Sequence, residues 1–183
     1  MQVIKHTKPH KASLRLRPEL DANVVRVFNV PDEVVVGVYQ GYSLPVYSAD
    51  NEELYLRQHV PRRWDGESDI TLGVIAALAT ANTSKKFRLN LAWEHFAKDG
   101  VVPTTSNPVS VEIDTGTALE HQSWECEFTI DYDIDGAGSE IKDCEVLSAR
   151  LRRGTASAND ISGEVIILDW YTEYIRDKLG KPV

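Results

Sequence analysis

The sequence predicts an all-β protein, a jelly roll or β-sandwich of antiparallel strands. Three observations carry that expectation. Apolar residues recur at every second position through most of the chain, which is the period of a half-buried strand. The segments between these runs are rich in Gly, Asn, Asp, Ser, Thr and Pro, as in "ATANTSKK", "AKDGVVPTTSNP" and "RGTASANDISG". Helical periodicity is scarce, and many short strands with such punctuation suit a sandwich.

The elements follow in order. Residues 24–60 hold short β-like pieces broken by Pro31, Gly37, Gly41 and Pro45. A boundary near residues 48–51 separates an N-terminal arm or attachment and oligomerisation segment, 1–48, from the main jelly-roll domain, 49–183. The first strand of that domain falls at 54–60. Residues 69–79 alternate through Ile70, Leu72, Val74, Ala76 and Leu78. Residues 86–96 place Phe87, Leu89, Leu91 and Trp93 on one face and Arg88, Asn90 and Glu94 on the other. Val109, Val111 and Ile113 mark another strand, and "SWECEFTIDY" sets Trp124, Cys126, Phe128, Ile130 and Tyr132 against Glu125, Glu127, Thr129 and Asp131. Leu147, Ala149 and Leu151 mark the next. The run "GEVIILDWYTEYI" is apolar on both faces at first, which places it centrally or between layers. At the C-terminus "TEYIRDKLG" reads as one or two helical turns ended by Gly180.

Charge is unevenly spread. Residues 1–30 carry six cations (Lys5, Lys8, Lys11, Arg15, Arg17 and Arg26) against Glu19 and Asp21. The other 153 residues carry 14 cations against 26 acids, so an acidic body follows a basic head. An acidic body disfavours a nucleic-acid partner, which requires clustered Lys and Arg. No apolar run is long enough for a membrane helix, and the cationic start lacks the apolar core of a secretory signal. Cys126 and Cys144 are expected as buried free thiols, because a hairpin between them would set 126 opposite a residue near 150.

Catalytic signatures are missing from the sequence. It has no phosphate-binding glycine loop, no H-E-x-x-H and no C-x-x-C, and its five histidines are scattered. "GYSLP" lacks the second glycine of a nucleophile elbow. Glu125 and Glu127 share a strand face but read as a solvated surface rather than a glycosidase pair. The expectation is a protein that is not an enzyme and carries no cofactor.

Two features compete for other roles. Trp64, in "VPRRWDGESD", reads either as an exposed aromatic flanked by Arg62 and Arg63 for a partner or glycan, or as a plug in the open end of the sandwich. Tyr42, Tyr47 and Tyr55 would join it in an aromatic platform. "DYDIDGAGSE" begins like a calcium loop, but its twelfth position is Lys142 and its flanks alternate as strands, so it is no EF-hand. A structural calcium on Asp131, Asp133 and Asp135 is the alternative to a plain turn.

The runs "YLRQHVPRRWDGESDITLGVIAAL", "FRLNLAWEHF" and "VLSARLRRGTASANDISGEVIILDWYTEY" resemble a group of tailed-phage and related viral proteins. The matching residues are Val60, Pro61, Trp64, Asp65 and Gly66, then Trp93, then Leu151, Arg152 and Arg153, and the final strand from 163 to 174. The resemblance implies a jelly-roll virion component, such as a decoration, head-fibre, turret or tail-associated protein. It would be made in the host cytoplasm and act by self-association, a trimer above all, and by docking on other virion proteins. Lys5, Lys8, Lys11, Arg15 and Arg17 would then serve N-terminal docking on an acidic neighbour. Two other readings are a carbohydrate- or receptor-binding β-sandwich with a host glycan as partner, and a β-sandwich hydrolase.

Overall fold

The computed structural model describes residues 31–45, 52–62, 64–134 and 140–176, together with the backbone of 10–16. These residues form ten strands and no helix: β1 (His10–Leu16), β2 (Asp32–Val36), β3 (Tyr39–Leu44), β4 (Glu53–His59), β5 (Ile70–Leu78), β6 (Asn82–Phe96), β7 (Asn107–Ala118), β8 (Ser123–Ile130), β9 (Val146–Gly154) and β10 (Val165–Arg176). The strands pair antiparallel throughout and make two sheets. One runs β2-β3-β10-β5-β8, with β1 also against β10; the other runs β4-β9-β6-β7. The expected antiparallel β-sandwich is therefore what the chain forms.

The period-two pattern fixes which side chains meet between the layers. Leu54 and Leu56 of β4, Leu147, Ala149 and Leu151 of β9, and Phe87, Leu89, Leu91 and Trp93 of β6 face Ile70, Leu72 and Val74 of β5 and Cys126, Phe128 and Ile130 of β8 in one core cluster. β10 is the hinge of the larger sheet. β5 lies along one edge of it. Its other edge is shared, by β3 over Val165 to Ile167 and by β1 over Trp170 to Arg176. The start of β10 is apolar on both faces, and Val165, Ile166 and Ile167 are all buried. The segment expected as an arm or separate module thus contributes β1, β2 and β3 to the main sheet.

Two local expectations change. Residues 172–176 continue β10 as strand rather than starting a helix, because pairing with β1 extends to Arg176; Gly180 lies outside the described residues. Cys126 is buried and free, and burial pushes its thiol up to about 12. Cys144 is also free but exposed, at a φ of 65° in the turn before β9.

The short motifs serve this architecture. Trp64 is completely buried, its indole N–H donates to the Ser68 carbonyl at 2.9 Å, and its ring meets Tyr132 edge-on. Asp65 Oδ1 accepts from the Glu67 and Ser68 amides and the Ser68 hydroxyl, which closes the Asp-Gly turn around the ring. Arg153 is only 2% exposed and lies beside Leu89 in register, on the core face of β9. Its guanidinium donates to the carbonyls of Gly163 and Ile161 and to Asp160 Oδ1, pinning the loop that leads into β10. Burial lowers the Arg153 pKa, opposed by the nearby Asp160 carboxylate.

Candidate functional site

The outer face of the four-stranded sheet carries the candidate site. Pairing registers set its side chains in rows across β4, β9, β6 and β7. One row is Glu53, Arg152, Asn90 and Ser110. The next is Tyr55, Arg150, Ala92 and Pro108, and a third begins Arg57, Ser148 and Glu94. The short side chains Ala92, Ser110 and Ser148 lie between longer ones, and that difference in length hollows the face.

Two recesses result. One, of about 430 Å³, is lined by Asn90, Ala92, Pro108, Val109, Ser110 and Arg152. The other, of about 300 Å³, is lined by Tyr55, Ala92, Glu94, Thr104, Ser148 and Arg150 among others, with the 104–106 loop as a wall. They share Ala92. From Asn90 to Glu94 the strand rises roughly 13 Å, so the joined depression is long rather than round.

The polar groups here are held in place. Tyr55 donates its hydroxyl proton to Glu53 Oε2 at 3.0 Å, and Arg150 Nε stands 3.5 Å from Glu53 Oε1. Burial raises the Glu94 carboxyl above its ordinary value, and Arg150 opposes the rise. Asn90 lies over Gly154, where a Cβ would approach its amide nitrogen to 2.4 Å, so any larger residue there would displace that amide. At the rim, Glu112 accepts from Ser157 N at 2.7 Å, Ser157 Oγ at 2.6 Å and Arg88 Nη2 at 2.8 Å. These bonds, the Ser157 hydroxyl first, lower its pKa to about 2.

The residues expected for contact scatter over the molecule. Trp64 is inside, so the plug is the role it has and the exposed-aromatic role is corrected. Tyr42 lies half-buried on the inner face of the larger sheet and packs on the core. Among the described residues of that set, Tyr55 is the one that reaches the hollow face. Arg62 is exposed, its Nε donating to Cys144 Sγ at 3.3 Å. Arg63, Tyr47, Lys5, Lys8 and Arg17 lie outside the described residues, as do the side chains of Lys11 and Arg15 on β1. Asp131 Oδ1 accepts from the Asp133 amide at 3.0 Å in a turn after β8. Asp135 lies outside the described residues, and among these no cluster of three potential metal ligands occurs. Sequence reasoning passed over Glu53, Asn90, Glu94, Ser110, Ser148, Arg150 and Arg152 as site residues. Their outward alternation was visible, but that they belong to one face was not, because β4, β9 and β6 are not successive in the chain.

No family model and no curated protein matches the chain. Similar solved structures include a xylan-binding module, CBM15, at 12% identity and a TM-score of 0.40, over 81% of this chain and 99% of that one. Another is the module TmCBM61 in complex with β-1,4-galactotriose, at 13% identity and a TM-score of 0.39, over 91% of this chain and 88% of that one. The expectation of a capsid- or tail-associated virion protein is corrected here: none of the comparisons supports it, and neither structure named is a viral jelly roll. The motifs behind it do structural work in this chain, Trp64 filling the core and Arg153 pinning a loop.

Proposed function

We propose that this protein is a non-catalytic carbohydrate-binding β-sandwich whose ligand face is the outer surface of the four-stranded sheet. The observation that carries the reading is the pair of adjoining recesses along β6, sharing Ala92 and lined by polar side chains. A sugar presents hydroxyls that both donate and accept, and Glu53, Asn90, Glu94, Ser110, Ser148, Arg150 and Arg152 offer both kinds of group. The half-buried Tyr55 ring supplies an apolar surface for the C–H face of a pyranose. The elongated shape suits several linked units of a chain.

Hydrolysis is disfavoured by spacing. Glu53 and Glu94 are two strands and four residues apart in register, on the order of 16 Å between Cα atoms. Paired glycosidase carboxyls stand about 5–9.5 Å apart.

Affinity electrophoresis through gels containing soluble plant, algal and bacterial polysaccharides tests the reading. Retardation by at least one polysaccharide is expected, reduced about tenfold in affinity by Tyr55→Ala, in line with loss of one well-buried aromatic contact. Free migration of the folded protein in every gel would overturn it.

A further inference from the structure

The arginines of the hollow face differ in how they are occupied. Arg150 is paired with Glu53, and Arg88 with Glu112. Arg152 lines the larger recess with Asn90 and Ser110 and has no ion-pair or hydrogen-bond partner among the described residues. In a chain of net charge −8, an uncommitted guanidinium held half-buried in a recess is a poor choice for general solvation. Glu53, opposite it in register on β4, bonds Tyr55 and Arg150 instead, so no carboxylate among the described residues pairs with the cation.

Planar guanidinium matches a carboxylate through two parallel N–H···O bonds. Asn90 and then Ser110 follow it across β6 and β7 in the same row, with Glu53 on its β4 side, so neutral hydroxyls beside a carboxylate would find partners. We infer that the larger recess is a subsite for an acidic sugar, with Arg152 binding the carboxylate of a uronic acid in the glycan chain. The inference rests on the carbohydrate-binding reading and deepens it: the ligand is a uronate-bearing polysaccharide rather than a neutral one.

Isothermal titration with oligogalacturonate and oligoglucuronate, each against the neutral oligosaccharide of matched linkage and length, tests it. The acidic ligand should bind about tenfold or more tightly than its neutral counterpart, as a hydrogen bond to a charged group allows. That preference should shrink at high salt. Arg152→Gln should abolish the preference, weakening the acidic ligand about tenfold more than the neutral one. Asn90→Asp, which sets a carboxylate beside Arg152 in the same register, should do the same and guards against a folding defect in the first variant. Equal affinity for acidic and neutral ligands, an acidic preference that survives both substitutions, or a preference only for sulfated sugars would each overturn the inference while leaving carbohydrate binding intact. Failure of every glycan to bind would remove both.

Discussion

At the scale of single residues, polar groups are committed to holding loops at the ends of the sandwich. Arg153 is the sharpest case: a core-face position occupied by a cation that bonds two carbonyls and one carboxylate. Arg153→Ala would leave those acceptors buried and unpaired, at a cost of about 3–5 kcal/mol, measurable as a lowered urea midpoint with an unchanged slope. Glu112 gives a pH signature. Its folded pKa of about 2 lies below its ordinary 4.5, so its stabilising bonds to Ser157 and Arg88 are fully present above pH 4.5 and are lost as pH falls toward 2. The melting-temperature difference between the natural protein and Glu112→Gln should be constant above pH 4.5 and vanish near pH 2; a difference that persists there would contradict the assignment. Trp64→Ala should cost about 3–5 kcal/mol, as a large core truncation does, while glycan affinity of the folded fraction stays unchanged.

At the scale of elements, strand positions were legible and strand neighbours were not. Alternation at 86–96, 123–132 and 145–153 marks which residues of β6, β8 and β9 face inward, and Phe87, Cys126 and Leu151 are buried as that pattern requires. The pattern could not show that β9 lies between β4 and β6, a pairing made by residues far apart in sequence. That pairing creates the site, since it brings Arg150 beside Tyr55 and Ala92 and Arg152 beside Glu53 and Asn90. At 172–176 strand replaces the expected helical turn for a related reason, because tertiary pairing with β1 overrides local preference there. On the other sheet, Gly73 exists to admit the Tyr171 ring, which lies where a Cβ would be, with the phenol donating to Glu125. Burial, and then that carboxylate, raise the Tyr171 phenol above its ordinary range. Gly73→Ala should expel the ring, cost about 1–3 kcal/mol and return one tyrosine to ordinary titration in ultraviolet absorbance. A titration curve identical to that of the natural protein would show that the ring is not seated on Gly73.

At the scale of the whole molecule, the two sheets divide the labour. The six-stranded sheet anchors both ends of the described chain on β10, with β1 alongside the strand's second half and β3 alongside its start. The four-stranded sheet turns a polar, hollowed face outward. The aromatic platform expected from sequence does not assemble, because Trp64 is consumed by the core and Tyr42 faces inward; the motifs most conspicuous in the chain are those that build it. The site residues are ordinary in composition and gain meaning only through register. The most direct test of ligand binding at this face is backbone amide chemical-shift mapping during titration with a polysaccharide that retards the protein. Binding at the proposed face predicts shifts confined to Glu53, Tyr55, Asn90, Ala92, Glu94, Ser110, Ser148, Arg150, Arg152 and the 104–106 loop. Shifts clustered instead on the six-stranded sheet or its connecting loops, with these residues silent, would contradict it.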